Sequence, residues 1–271
     1  MLNINTSILA DVPLALPPLP VQRRIADILS AYDDLIENNR KQVKLLEEAA
    51  QRLYKEWFID LRFPGHEHTP IINGVPQGWK VAPAIDFFDI TIGKTPPRSE
   101  QKFFTRGDAG IPWVSISDMG ASGTYIFSTA EGLTRESVKQ YNVKIIPAGT
   151  ILLSFKLTLG RVTIATESCC TNEAIAHFYM SEAELTEYTY QYLKNFKYDT
   201  LGNTSSISRA VNSSIVKSMT FVMPATTIIS DFSKLMKPIF QKLYSLQKTA
   251  LLAQTARDRL LPKLMNSEME V

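Results

Sequence analysis

The sequence predicts a mixed α/β (α+β) domain carried between two long helices that pack on each other as an antiparallel two-helix coiled coil. Three observations carry that fold class. Apolar residues recur at helical spacing from Ile25 to Trp57 and again from about Ile228 to Leu264, lengths well beyond an ordinary globular helix. The region between, about Gly74 to Thr220, breaks into short apolar and β-branched runs punctuated by Gly and Pro. The two helical stretches also repeat one another in sequence.

The first helix is read from Ile25, Ile28, Leu29, Tyr32, Leu35, Ile36, Val43, Leu46, Ala50, Leu53 and Trp57, which fall on one stripe. Pro17, Pro18 and Pro20 hold the chain extended before it, and Phe63-Pro64-Gly65 ends it, because proline disfavours helix in the residue ahead. In the middle, Val143 to Ile146, Thr150 to Phe155 and Val162 to Thr166 read as strands, and Glu182 to Phe196 as a helix. Trp79 and Trp113 follow turn residues and open apolar stretches, which places them in the core. In the last helix Phe232, Leu235, Met236, Ile239, Leu243, Leu246, Ala253 and Leu260 form the stripe, and Pro238 should bend it.

A gap-free shift of 207 positions lays Pro17 on Pro224, Lys41 on Lys248, Leu45 on Leu252, Ala49 on Ala256, Arg52 on Arg259 and Leu53 on Leu260. It also matches Ile25 with Phe232, Leu29 with Met236 and Ile36 with Leu243. The stripes fit a seven-residue repeat and ask for a helical partner. Packing is therefore expected of Ile25, Leu29, Tyr32, Ile36, Leu46, Leu53, Phe232, Ile239, Leu246 and Leu260, and of Leu45 and Trp57, with Asn39 a polar break in the seam.

Composition narrows the class. The 271 residues are 45% hydrophobic and 21% charged, as expected of a folded protein and not of a disordered one. With 29 basic against 27 acidic residues, the net charge of +2 gives no global signature for nucleic acid or an anionic membrane, so such a partner must be read locally. The adjacent Cys169 and Cys170 suit neither a disulfide framework nor a zinc site and read as small buried side chains in a reducing cytoplasm. No apolar run reaches membrane-spanning length and the N-terminus has no secretory pattern. His66 and His68 beside Glu67 follow Pro64-Gly65 and read as exposed loop; no metal and no cofactor is expected.

The wording of the first helix, Leu16-Pro17-Pro18-Leu19-Pro20-Val21-Gln22-Arg23-Arg24-Ile25-Ala26 through Lys55-Glu56-Trp57-Phe58, resembles the conserved region of the specificity subunit of Type I restriction-modification systems. So do Gly74-Val75-Pro76-Gln77-Gly78-Trp79, Gly93-Lys94-Thr95-Pro96, Ile111-Pro112-Trp113-Val114 and Pro147-Ala148-Gly149-Thr150, and later Thr158-Leu159-Gly160, Thr171-Asn172-Glu173-Ala174-Ile175 and the closing Leu260-Leu261-Pro262-Lys263-Leu264-Met265. The resemblance implies residues 16–64 as a conserved helix, 65–220 as a target recognition domain and 221–271 as a second conserved helix, with 1–15 resembling the end of a preceding domain. It implies a non-catalytic subunit that reads one half of a split target in double-stranded DNA. It further implies docking of modification (methyltransferase) subunits and an indirect link to the restriction (translocase-nuclease) subunit. Pairing of two chains, or with another specificity half, follows because one half-site offers few contacts against a large excess of competing sequence. The sequence agrees in lacking an Asn-Pro-Pro-aromatic signature, a Gly-rich cofactor loop and a Walker-type loop.

On that reading, polar side chains in turns are the DNA-binding candidates, since Arg suits guanine, Asn or Gln suits adenine, and Lys, Ser and Thr serve phosphates. Three clusters qualify: Lys94, Thr95, Arg98, Lys102 and Arg106; Lys156, Thr158 and Arg161; and Asn203, Thr204, Ser205, Ser206, Ser208, Arg209 and Asn212. The competing reading is a coiled-coil interaction protein with a ligand-binding or peptide-binding middle domain. It is favoured if the three turns lie on different faces. An independent enzyme is the weakest reading, since His is scarce and no acid-base pair stands out.

Overall fold

A computed structural model describes residues 16–106, 109–201 and 212–265. The described chain divides into two compact units, one formed by residues 16–42 with 248–265 and the other by Val43–Gln247. The division falls inside both long helices, α1 (Leu19–Tyr54) and the last helix (Thr226–Met265).

The first unit is helical from Leu19 onward among its described residues. Its first helix starts at Leu19, six positions ahead of the apolar stripe, because Pro20 lies in the first turn, where a backbone N–H has no helical acceptor to meet. Gln22 secures that turn, its side chain donating to Pro17 O at 2.8 Å and its N–H to Pro18 O at 3.0 Å. Ile25, Ile36, Ala253 and Leu264 are buried, whereas Leu29, Tyr32 and Leu260 are half-buried. Arg257 donates to Asp33 at 2.5 Å and Arg40 to Gln254 at 3.2 Å, so rising numbers on one helix meet falling numbers on the other. Asn39 is buried with its Nδ2 unpartnered among the described residues.

The second unit holds the main core. Residues 43–54 of α1 run into a wider π turn, Lys55–Ile59, fastened by Lys55 on Asp60 at 2.6 Å. The extra residue in that turn brings the consecutive Trp57 and Phe58 both onto the core: Phe58 lies 4.7 Å from Tyr188 and 4.8 Å from Phe232, and Trp57 5.6 Å from Phe232 (ring centroids). A hairpin follows, β1 (Ile71–Ile72) with β2 (Val75–Pro76), turned by Asn73-Gly74 at φ 52° and 80°, the pair of left-handed residues that matches strand twist. Then come β3 (Lys80–Pro83), β4 (Asp89–Ile92), β5 (Phe104–Arg106), β6 (Ile111–Val114), α2 (Ile116–Ala121), β7 (Tyr125–Ile126), β8 (Glu131–Leu133) and α3 (Arg135–Gln140). The chain continues through β9 (Ile151–Ser154), β10 (Val162–Ala165), β11 (Cys170–Thr171), β12 (Ile175–Tyr179), α4 (Leu185–Asn195), α5 (Ser213–Ser218) and β13 (Thr220–Met223) into α6 (Thr226–Met265).

Two sheets carry the domain, one in the order β4-β12-β9-β10-β7 and one in the order β11-β6-β8-β5. In the first, β9 and β10 are fully buried, as their unbroken Ile-Leu-Leu and Val-Thr-Ile runs require. β12 pairs antiparallel with β9 and β4, aligning His177 with Leu152 on one side and Thr91 on the other. β7 is tied to the helices: Thr124 Oγ1 donates to Glu47 at 2.8 Å and the Tyr125 N–H to Gln247 at 3.1 Å.

Three expectations need correction. Val143 to Ile146 is not a strand; only Ile146 bridges to Cys169, because Asn142 takes a left-handed turn (φ 49°) straight after α3. Leu45 is not a packing residue. It is 65% exposed, since it stands one residue, about 100° of helix rotation, away from the inward Leu46. The prolines do not keep the chain extended up to Ile25. α6 continues as one helix through Pro238, which is exposed. Phe232 and Leu246 are buried, Ile239, Leu46 and Leu53 half-buried, Trp113 buried and Trp79 half-buried against the core.

Candidate nucleic-acid interface

Two of the three polar turns meet. The strap 93–98 leaves β4 and crosses the turn between β11 and β12, a path open only because Gly93 has no side chain: a Cβ there would stand 2.0 Å from Thr171 Oγ1 and 2.1 Å from Asn172 O. The Lys94 N–H donates to Thr171 O at 2.9 Å, and its carbonyl accepts from the Trp113 indole at 3.4 Å. The buried strap backbone therefore leaves the Lys94 side chain exposed. Thr95 Oγ1 donates to Glu173. Asn172 shapes the turn, its Oδ1 accepting the Ala174 N–H at 3.1 Å.

Glu173 is where the clusters converge. Burial pulls its carboxyl upward, but the hydrogen bond from Thr95, its own backbone and the charges of Lys156 and Arg98 outweigh that and hold it below the usual carboxylate range. It is an ionised acceptor at neutral pH, and it ties the first cluster to the second.

Arg98 is held in place. Its Nη1 donates to both Glu131 oxygens, at 3.0 and 2.8 Å, and its guanidinium lies over Phe104 and Trp113, 4.3 and 4.6 Å from the ring centroids. Lys102 lies near Glu100 at 3.7 Å and over Phe103, while Arg106 is exposed at the end of β5.

The second cluster is the turn joining β9 and β10. Lys156 and Thr158 are exposed at its tip. Arg161 is turned inward, its Nη1 donating to Ile116 O at 2.6 Å, where it braces α2 against the turn. Of the third cluster, Asn203, Thr204, Ser205, Ser206, Ser208 and Arg209 lie outside the described residues. Asn212 caps α5, accepting the Ile215 N–H at 3.0 Å.

The remaining titratable groups nearby are structural in setting. His177 is fully buried between Thr91 Oγ1 on Nδ1 (2.9 Å) and Thr171 Oγ1 on Nε2 (2.7 Å); burial first, and Lys144 second, pull its pKa down to about 4. Burial pushes the Cys169 and Cys170 thiols up to about 12, out of reach of thiolate chemistry. Among the described residues no group of three or more His, Cys, Asp or Glu could hold a metal ion, and no helix is long and apolar enough to cross a membrane.

Sequence reasoning names Lys94, Thr95 and Lys156 as candidates and does not single out Glu173, which the structure sets beside them. The signal was an acidic residue inside a turn between strands, beside Asn172, and only the sheet pairing reveals which basic residues face it.

Residues 1–48 and 76–254 match the family described as Type I restriction modification DNA specificity domain. The chain is 28% identical over 288 residues to the Type I restriction enzyme MjaIX specificity subunit of Methanocaldococcus jannaschii, covering 99% of this chain and 63% of that protein. It is 24% identical over 332 residues to the HindI specificity subunit of Haemophilus influenzae, covering 98% of this chain and 71% of that protein. In fold it is similar to the crystal structure of a Type-I restriction-modification system S subunit from M. genitalium, with TM-score 0.57 and 16% identity over 91% of this chain and 61% of the other. The chain thus spans 63% of the length of the M. jannaschii relative.

Proposed function

Since the chain belongs to the Type I restriction modification DNA specificity domain family, we propose that it is the sequence-reading subunit of such a system. In this reading it binds one half of a split target in double-stranded DNA, docks modification subunits and does no chemistry of its own. The supporting observation is the meeting of the Lys94–Arg98 strap and the Lys156–Thr158 turn around Glu173. Lys94 and Lys156 serve phosphates, and the ionised Glu173 suits the amino group of a cytosine, the base-edge donor that a carboxylate accepts from. A peptide-binding domain carried on a coiled coil would not need its basic turns to converge.

The two conserved helices act as a coiled-coil spacer around the recognition domain at 65–220, and also as the docking surface. Burial repeats with the sequence: Ile25 and Phe232, Ile36 and Leu243, Asn39 and Leu246, and Trp57 and Leu264 are equivalent and all buried. Yet these buried pairs are not identical in type. Identity falls on three exposed pairs, Lys41 and Lys248, Leu45 and Leu252, and Arg52 and Arg259, besides Pro17 and Pro224, Ala49 and Ala256, and Leu53 and Leu260, in each of which at least one member is partly covered. A core tolerates exchange among apolar residues of similar size, so identity at exposed positions points to a shared outside partner. The modification subunit is that partner. Pairing with a second specificity half completes the target, and the restriction subunit joins through the modification subunits.

Selection by the full chain from a random duplex pool tests the reading. One sequence family is expected to be enriched. Changing Lys94→Ala and Lys156→Ala together is expected to weaken binding to all sequences alike and to reduce the salt slope by about two. No enrichment, or a double variant that binds with the parent's salt slope, contradicts it.

A further inference from the structure

The turn between β9 and β10 ends in an apolar side chain held wholly in solvent. Leu157 is 99% exposed, and its backbone sits at φ 60°, the left-handed region that glycine adopts freely and leucine only with strain. Neither feature is needed to close the turn, which glycine would close with less strain.

The tip is also rigidly braced. Ser154 Oγ donates to Thr158 O at 2.5 Å and accepts the Arg161 N–H at 3.1 Å, and the Gly160 N–H donates to Ser154 O at 3.0 Å. Gly160 lies so close to the Tyr198 ring that a Cβ would come within 2.8 Å of it, and the Tyr198 hydroxyl is fixed on Leu193 O at 2.7 Å. Arg161 anchors the other flank on Ile116 O. Lone exposed leucines are common on protein surfaces, but they do not ordinarily combine full exposure, a left-handed backbone and a braced support. Lys156 precedes Leu157, and Lys156 and Arg98 both act on the Glu173 carboxylate. The apolar tip therefore stands directly beside an exposed cation, Lys156, that can meet a phosphate.

We propose that Leu157 is an apolar wedge that inserts between adjacent base pairs of the bound duplex, with Lys156 on a neighbouring phosphate. The inference rests on the DNA-reading function proposed above. A small apolar side chain on a stiff support can part a base step and bend the duplex, and a strained backbone at its tip marks a position kept for binding and not for folding.

The test uses the full chain and the duplex it selects from the random pool, with 2-aminopurine placed at each step of the half-site in turn. The parent is expected to raise fluorescence at one step. L157G, which relieves the backbone strain, is expected to melt at the parent's temperature or above, to lose the fluorescence rise and to bind about tenfold or more weakly with the salt slope unchanged. L157F is expected to keep the fluorescence rise. A parent that raises fluorescence at no step overturns the wedge, and so does an L157G that keeps parental affinity. So too does an affinity loss reproduced merely by replacing a thymine with uracil, which assigns Leu157 to a base methyl. If Lys94→Ala with Lys156→Ala weakens binding while L157G does not, the wedge alone falls; if neither does, or no duplex is selected, the DNA-reading function falls with it.

Discussion

Leu45→Glu combined with Leu252→Glu is expected to release the chain from the modification subunit while leaving its own stability within about 0.5 kcal/mol of the parent. The two residues occupy equivalent positions of the internal repeat, are identical, and are 65% and 59% exposed. Each is flanked on its own helix by an equally exposed and equally repeated Lys and Arg, Lys41 and Arg52 on α1 and Lys248 and Arg259 on α6. Burying an exposed leucine against a partner is worth about 2 kcal/mol, which a glutamate forfeits. Two such losses, if additive, correspond to roughly a thousandfold in association. Co-purification or titration of the modification subunit reads the effect, and DNA selection by the variant alone should match the parent. Parental association of the double variant removes both positions from the docking surface.

The second large effect is on stability against pH. His177 is buried and neutral, with a pKa of about 4 against an unfolded value of about 6.5. A depressed histidine binds its proton more readily in the unfolded chain, so its stabilising contribution is complete above about pH 6.5, declines as the pH falls, and is fully lost near pH 4. The loss across that window is about 3 kcal/mol. Other groups act in the same range or just below it. Burial raises the Glu187 carboxyl, so its protonation on acidification favours the folded state and offsets part of the loss, whereas the contribution of Glu173, held low, is complete above the ordinary carboxylate value and is lost as the pH falls from there to its lowered one. Urea unfolding from pH 7 to pH 4 is expected to show the decline in the parent and a flatter profile in His177→Gln, whose amide can still meet Thr91 and Thr171. An equal slope in both proteins would show that His177 is not the group responsible.

Much of this fold was legible because long-period patterns survive local noise. The apolar stripes placed both long helices, and their equivalence under one fixed shift extends to burial at Ile25 and Phe232 and at Ile36 and Leu243. What a stripe does not encode is its edge. Leu45 is apolar and adjoins the inward Leu46, yet one residue of helix rotation puts it outside. Likewise Val143 to Ile146 has the composition of a strand, but pairing depends on a partner at the right register, and only Ile146 finds one.

The site was legible as residue types and not as contacts. Lys94 and Thr95 are candidates by residue type and by their place in a turn, but their meeting with Lys156 depends on β12 pairing with both β4 and β9, which brings distant stretches of sequence side by side. Arg161 and Asn212 show the reverse. Each has a side chain suited to a base edge, and each is engaged in bracing or capping its own fold. Glu173 went unread because a carboxylate is not an obvious partner for DNA until the cations that hold it ionised are seen around it.

The most direct measurement is the genome-wide methylation pattern of a host that expresses this chain with its modification subunit. The account predicts methylation at one split sequence, absent when the chain is withheld and altered at one half-site position when Glu173 is replaced by Gln. Methylation that is sequence-independent, or that persists unchanged without the chain, would contradict it.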